Sequence, residues 1–589
     1  MSNEARPRLG LPDRVPGSRI GRRRVAIAAA KLLARIAFGG AAVTGAGAAQ
    51  PPPTQSDAAL VAQAQAIMGA AYPAEGPGAA VIVSRAGQTI FSAGRGLADL
   101  EARRPITAGT AFRLGSITKQ FTAAVILQLV AEGRISLDDP LSRFFPDWPP
   151  PGAGATVRQL LNHSSGLMDY SKIPGWMGSE PSLRPHTTAE LLALTRSRPA
   201  PSAPGVRWEY NNGGYAVLGA IVEQVTGKPW HQAAIDRIAR PLGLRTIAYA
   251  GDADVAVARG YSGQGDRQQP ARGVHISVAG AAGGLVGSVE DLARWAAALH
   301  GGRVVGPALY AEMVRPARLA DGSTHPYGFG LRLLSLRGQP ALVHGGSGRG
   351  LDAESIYLPS ERLFVAALAN SDDPTTDPAI LVRRLAALAL GKPYPVFSRA
   401  EIDVAEVEPL FGQYTQADGP PFRFFARDGK LLVGHGDDEK EAFAAGADRF
   451  FFGPESLMWF EVARARDGAH LMRMHEPDAA EPSRALRTGP VPPPLAVSAP
   501  VLQSYLGAYQ TETLAVTIAL GPDGALTVAP AGQRAMRMRP VSPTEFRIDG
   551  GPMRLVFHPE GDRVDRFTLY RGARELHGRR VDRSPATPE

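Results

Sequence analysis

The chain has 589 residues, 44% of them hydrophobic and 20% charged, and it contains no cysteine. That length exceeds what one hydrophobic core fills, so two or three domains are expected, and the composition excludes a disordered or fibrous chain. The net charge of +8 sits almost wholly in residues 1–50, where nine basic side chains face two acidic ones, so the remainder is near neutral and offers no nucleic-acid-binding surface.

Those first 50 residues read as a signal peptide: Arg22-Arg23-Arg24, then an uncharged run from Ile36 to Ala49 ending in small residues, then Gln50. At 14 residues the run is shorter than the roughly 20 a bilayer span needs, so no stable membrane span is expected in the mature form. The arginine cluster permits a twin-arginine route. Lys31 and Arg35 interrupt the apolar stretch, and a disordered basic arm is the alternative. Export to the periplasm or medium is the expectation. The absence of cysteine rules out disulfides, thiol catalysis and a lipid-modified cysteine anchor.

A proline-rich linker at 51–57 leads into an alanine-rich helical pattern and then a hairpin signal, Ala79 to Ser84, a turn at Arg85-Ala86-Gly87, and Gln88 to Ser92. From Ser116 the apolar residues Phe121, Val125, Ile126, Leu129 and Val130 recur at helical spacing, which predicts a helix buried on one face. Residues 120–340 are expected to be mostly helix and loop. Ala341 to His344, Glu354 to Leu358 and Leu363 to Leu368 predict an antiparallel meander.

Past residue 395 the pattern becomes short strands and turns, and it repeats. Gly412-Gln413-Tyr414 matches Gly507-Ala508-Tyr509, Asp428-Gly429 matches Asp523-Gly524, and Phe451 matches Phe546, every pair 95 residues apart. Val491 to Pro494 falls between the units as a linker should. Two small antiparallel barrels or sandwiches, at 396–490 and 491–589, are expected.

Three short motifs carry chemistry. Ser116-Ile117-Thr118-Lys119 sets a hydroxyl and an ammonium one helical turn apart, and Lys119 alone of the seven lysines has a serine three residues before it. Serine is a poor nucleophile without a neighbouring base. Tyr210-Asn211-Asn212 lies in a polar, glycine-rich loop before a helix, and a phenol near an ammonium can have its pKa lowered enough to act as a base. His344-Gly345-Gly346-Ser347 ends a strand in small residues that let a substrate backbone lie close. Each motif alone is commonplace. No metal-ligand spacing appears, and the glycine-rich loops lack a phosphate-binding Lys-Ser/Thr ending.

In this order, the three motifs resemble the serine β-lactamase and penicillin-binding protein family, in particular its class C, D-aminopeptidase and esterase branch, over roughly residues 58–390. Phe112 to Gly115, Leu160 to Leu167 and Gly283-Gly284-Leu285 are similar to recurrent segments of that family. The resemblance implies an α+β fold: a β-lactamase/transpeptidase-like catalytic domain at 58–395, an antiparallel sheet flanked by helices plus a helical subdomain, followed by two small lipocalin-like barrels. It implies Ser116 as nucleophile, Lys119 and Tyr210 as proton-handling partners with Tyr210 as base, and substrate contacts from Asn212, His344, Gly346 and Ser347. Backbone N–H groups of Ser116 and Ser347 would form the oxyanion hole, and His163 is read as structural.

No cofactor is implied. The expected partner is a small ester, amide or peptide, D-amino-acid peptides among them, and the oligomeric state is left open. One departure stands out: the third motif begins with His344 where the β-lactamase form begins with lysine, which disfavours efficient β-lactam turnover. Arg349 is weighed as a substitute charge against a solvated loop residue. A β-lactamase or D,D-carboxypeptidase is one alternative, and a non-catalytic penicillin-binding-like receptor another. The repeats are read as a roof over the site, a spacer, or simple packing.

Overall fold

The computed structural model describes residues 57–581, apart from 252–254, 418, 436–437, 454–455, 465–468, 493–494, 513, 550–552, 562 and 572–573. The leader at 1–50 and all but the last residue of the linker lie outside the described residues.

Helix α1 (Asp57–Ala71) precedes a hairpin, β1 (Ala79–Arg85) and β2 (Gln88–Arg95). Ala86 and Gly87 join the strands with φ of 52° and 83°, the twist a two-residue hairpin turn requires. The hairpin completes a six-stranded antiparallel sheet whose other strands come from far along the chain: β3 (Arg332–Leu336), β4 (Gln339–Gly348), β5 (Leu351–Leu358) and β6 (Leu363–Ala369), in spatial order β3-β4-β5-β6-β1-β2. The meander expected at 341–368 is therefore three consecutive strands. The third motif forms the end of β4, and its pairing with β5 continues to Gly348 opposite Leu351.

Strand β6, Leu-Phe-Val-Ala-Ala-Leu-Ala, is buried throughout, as a strand covered on both faces must be. Phe364, Ala366 and Leu368 enter the core shared with the helical layer, and Leu363, Val365, Ala367 and Ala369 enter the core beneath α1 and the helix Pro378–Ala389. The period of two thus splits one apolar run between two cores.

Helix α2 (Thr118–Ala131) follows a single 3₁₀ turn at Gly115–Ile117 that carries Ser116. The sequence predicts one buried face, but the helix is buried nearly all round, Thr118, Lys119, Gln120 and Thr122 included. Neighbouring elements meet the polar groups: Thr122 donates to the Ala281 carbonyl at 2.7 Å, and the Trp295 indole donates to Gln120 at 3.1 Å. Helix α3 (Asn212–Thr226) starts at an Asn211 cap whose side chain accepts from the Gly214 N–H. Helix α4 (Ile276–Gly283) contains a break at Gly280, with φ 44° and ψ −142°. Among the described residues no helix is long and apolar enough to cross a membrane.

The two repeats are closed eight-stranded antiparallel barrels, one running from Gly412–Thr415 to Ser483–Gly489 and the other from Gly507–Gln510 to Arg574–Arg580. Tyr414 and Tyr509 are fully buried and donate to the carbonyls of Leu410 and Tyr505, so the 95-residue offset extends to the hydrogen bonds. Their interiors are filled with side chains such as Phe424, Phe450 and Phe460 in the first and Phe546, Phe557 and Phe567 in the second. The Asp-Gly landmarks differ: Asp428-Gly429 is a tight turn with both φ positive, whereas Gly524 alone is positive in the longer loop between Leu520 and Leu526.

The first barrel grips the β3–β4 hairpin, which is packing against the hydrolase domain. Pro477 and Asp478 carbonyls accept from the N–H groups of Arg337 and Gly338, both at 3.2 Å, the Asp478 carbonyl also accepts from Ser335 Oγ at 2.7 Å, and the Pro477 carbonyl from the Tyr394 hydroxyl at 2.8 Å. Leu457 of the same barrel packs into the core beneath the sheet.

Candidate active site

The nucleophile turn is held from three sides. The Leu114 N–H donates to the Leu285 carbonyl at 2.9 Å, and the Thr118 hydroxyl accepts from the Leu285 N–H at 3.2 Å. Gly115 adopts φ 51° directly against β4, where an added Cβ would lie 3.0 Å from the Gly346 Cα. Gly346 is as tightly placed: its Cβ would meet the Leu114 carbonyl oxygen at 2.1 Å. The second glycine of the third motif thus lets β4 close on the nucleophile turn, a packing reason distinct from the substrate contact expected of it.

Lys119 Nζ lies 3.0 Å from Ser116 Oγ, 2.9 Å from Asn212 Oδ1 and 2.9 Å from the Ala282 carbonyl oxygen. Complete burial is the largest influence on this amine and pushes it down to about 7, with Asp169 opposing and Arg332 reinforcing the shift. In the neutral form an amine has two N–H donors and one lone pair. The Asn212 and Ala282 oxygens can only accept, so they take both donors and leave the lone pair for the Ser116 hydroxyl.

The Tyr210 hydroxyl is hydrogen-bonded to Ser116, and Lys119 Nζ stands 4.7 Å from the centre of its ring. The expectation was that the lysine would hold this phenol down. Instead burial, the largest influence, pushes it up, outweighing the Ser116 bond and Arg332. Lys119, itself only half charged near pH 7, does not offset that burial, so Tyr210 keeps its proton.

Asn212 lines the cavity, but its side chain is engaged with Lys119 through Oδ1 and with Ser171 Oγ through Nδ2 at 3.1 Å. Asp169, which sequence reasoning missed, is buried beneath it and accepts the Asn212 N–H at 3.0 Å and the Ser171 hydroxyl at 2.7 Å. A carboxylate at the start of α3 meets unpaired N–H groups and the positive helix end. Its only sequence signal is its place two residues past Leu167.

His344 does not reach the cavity wall. It is 2% exposed; Nδ1 donates to the Gly345 carbonyl at 2.7 Å, which leaves Nε2 to accept from the Tyr327 hydroxyl at 2.9 Å. Burial, then Lys119, hold it down to about 3. A neutral imidazole with both nitrogens occupied cannot anchor a substrate carboxylate, which corrects the binding role expected of it. His163 is the structural residue anticipated: it is buried, its Nδ1 accepts the Asn211 N–H at 3.2 Å, and its ring packs 4.4 Å from Tyr210 and 4.6 Å from Tyr327.

Ser116, Asn212 and Ser347 open together onto a cavity of about 220 Å³, with Tyr170, Met177 and Ile276 on its apolar side. Arg349 is on its wall and so is Arg113; no carboxylate lines it, and neither arginine has an acidic partner among the described residues. The loop-residue reading of Arg349 therefore gives way to a place at the cavity.

The sequence profile of the Beta-lactamase family matches residues 64–390. A D-aminopeptidase of Brucella canis is 31% identical over 332 residues, which are 55% of this chain and 62% of that protein, so the chain spans less than two thirds of its relative. An octameric penicillin-binding protein homologue from Pyrococcus abyssi shares the fold, with TM-score 0.51 and 24% identity over 74% of this chain and 100% of the other. A structure named SurE does so over 89% of this chain and 99% of its own, with TM-score 0.50 and 23% identity. With the profile covering more than half its length and the three motifs meeting at one cavity, the chain belongs to the beta-lactamase family, a family of serine hydrolases.

Proposed function

We propose that this protein hydrolyses a small amide or ester through an acyl-enzyme on Ser116. The observation that carries the reading is the orientation of Lys119, whose two pure acceptors aim its lone pair at the Ser116 hydroxyl 3.0 Å away. Ser116 Oγ bonds to the substrate carbonyl carbon as its proton passes to Lys119. Tyr210, still protonated, donates to the departing nitrogen or oxygen as that bond breaks, and Lys119 returns a proton to Tyr210. Water then attacks the acyl-enzyme with Lys119 as base, which frees the acid and restores Ser116. Backbone N–H groups of Ser116 and Ser347 hold the developing oxyanion, a contribution of several kcal/mol in comparable hydrolases.

An amide bearing a D-residue is the favoured substrate, on the name of the Brucella relative. A second reading, a substrate with a free carboxylate as in a D,D-carboxypeptidase, draws support from Arg113 and Arg349 on the cavity wall and the absence of an acid there to meet a free amine. Turnover of D-alanine p-nitroanilide, p-nitrophenyl acetate, nitrocefin and an acylated D-Ala-D-Ala peptide, with Ser116→Ala as control, separates the readings. Release of p-nitroaniline supports the aminopeptidase, and release of D-alanine from the peptide supports the carboxypeptidase. Residual turnover of every substrate by Ser116→Ala would remove Ser116 as nucleophile. The leader composition supports export, and N-terminal sequencing of the protein from separated cell fractions tests it: a periplasmic form starting near residue 50 is expected, and a cytoplasmic form with Met1 intact would overturn it.

A further inference from the structure

Behind α4, on the side away from Ser116, lies a second cavity of about 330 Å³. The two cavities share one wall. Val278, Ala279, Ala282 and Gly283 face the catalytic side, and Ser277, Gly280 and Ala281 face the rear one. At this wall the backbone breaks at Gly280, with φ 44°.

The chemistry lining the rear cavity is specific. Tyr249 stacks on His231 with ring centres 4.4 Å apart and meets Trp230 edge-on at 5.9 Å. Glu223 receives the Thr188 hydroxyl at 2.8 Å and the Trp230 N–H at 3.2 Å, both on Oε1, and no lysine or arginine pairs with it among the described residues. His186 donates through Nε2 to the Pro181 carbonyl at 2.7 Å, so Nδ1 is the acceptor; that buried atom has no hydrogen-bond partner among the described residues, and the Glu190 carboxylate stands 3.9 Å from it. A carboxylate without a cation, an imidazole lone pair without a donor and aromatic rings together suit an ammonium group carried on a flat apolar body.

We propose that the cavity behind α4 is a second ligand site, separate from the catalytic cleft, for a small organic ammonium with an aromatic body. The carboxylate of Glu223 and Nδ1 of His186 take the ammonium, and Tyr249 and Trp230 pack the ring. Occupancy bears on catalysis through the shared wall, because the Ala282 carbonyl that orients Lys119 at 2.9 Å is the next residue after Ala281.

Phenethylamine is the probe, titrated into the full chain by calorimetry and followed by ligand-observed NMR. One equivalent is expected to bind, and to bind equally after Ser116 has been phosphonylated by a fluorophosphonate. Glu223→Gln should weaken it by about tenfold, the loss of a charge-assisted bond. Thr188→Leu, which fills the cavity from its rim, should abolish binding in a protein whose circular dichroism shows the fold retained. Saturating phenethylamine should change the rate of Ser116 acylation at least about twofold in the unmodified protein and not in Thr188→Leu. Absence of binding, its loss on phosphonylation of Ser116, or equal binding by Thr188→Leu would overturn the site. An unchanged acylation rate would overturn the coupling alone. The coupling arm rests on Ser116 as nucleophile and the binding arm does not, so the two fail separately.

Discussion

Lys119 is buried, and desolvation lowers it to about 7, so that it gives up its proton through neutral pH. The base must be the neutral amine, whose fraction grows with pH, so kcat/KM for a neutral ester is expected to rise with pH through a midpoint near 7. Below it the value should fall about tenfold per pH unit. Asp169, Tyr210, Tyr215, His163, His344 and Arg332 face this amine from the surrounding elements. Of these, the two phenols are pushed up and the two imidazoles down, so all four hold one protonation state across that range and a single-proton profile is expected. A flat profile between pH 5 and 8 would remove Lys119 as base. Tyr210→Phe keeps the ring packed on His163 and removes only the donor to the leaving group. It should lower kcat/KM for anilides by about 10²–10⁴ while p-nitrophenyl esters, whose leaving group needs no proton, lose far less; steady-state kinetics on both classes would distinguish this from a general loss of fold.

At the scale of elements, β4 and the nucleophile turn approach as closely as backbone permits, because neither Gly115 nor Gly346 has a side chain to hold them apart. Gly346→Ala places a Cβ against the Leu114 carbonyl at 2.1 Å, where backbone must shift. Stability should fall by about 1–3 kcal/mol and acylation by about 10²-fold, read as a lowered melting temperature and slowed fluorophosphonate labelling. Gly345→Ala meets the Glu354 carboxylate at 2.5 Å and the Ala353 carbonyl oxygen at 2.9 Å, so it too strains backbone, but against β5 and not the nucleophile turn, and it should slow acylation less. The neighbouring helix ending at His300 gives a pH-linked prediction. Burial holds His300 down to about 3 from an ordinary 6.5, so the unfolded chain takes up a proton there before the native one does. Its stability contribution is therefore lost as pH falls below 6.5. His300→Gln should differ from the parent by a gap that closes at up to about 1.4 kcal/mol per pH unit between pH 6 and 4, measured by urea unfolding; a gap independent of pH would contradict a neutral buried imidazole.

For the whole molecule, the barrels have unequal standing. The first is bonded to the β3–β4 hairpin through Pro477 and Asp478 and inserts Leu457 beneath the sheet, whereas an exposed contact between Arg547 and Asp438 at 3.2 Å joins the second barrel to the first. Exposed ion pairs contribute about 0–1 kcal/mol. Removal of residues 491–589 is expected to leave the melting of the hydrolase portion within about 2 °C, and removal of 396–589 to lower it by more than about 4 °C with slower acylation, since β4 carries Ser347. Equal melting of the two truncations would show that the first barrel does not brace the sheet.

The order of Ser116, Lys119, Tyr210 and Asn212, the strand meander and the 95-residue repeat were legible in the sequence because they are local: spacing along a helix, alternation along a strand, and landmarks at a constant offset. Protonation was not legible. The depressed Lys119, the elevated Tyr210 and the neutral, fully engaged His344 follow from burial, which depends on residues hundreds of positions apart packing together. Asp169 beneath α3, Arg113 and Arg349 on one cavity, and the single wall between two cavities were hidden for the same reason. Sequence determined which chemical groups are available and in what local frame; the tertiary structure decided which of them lose water, and so which of them carry a proton and which a charge.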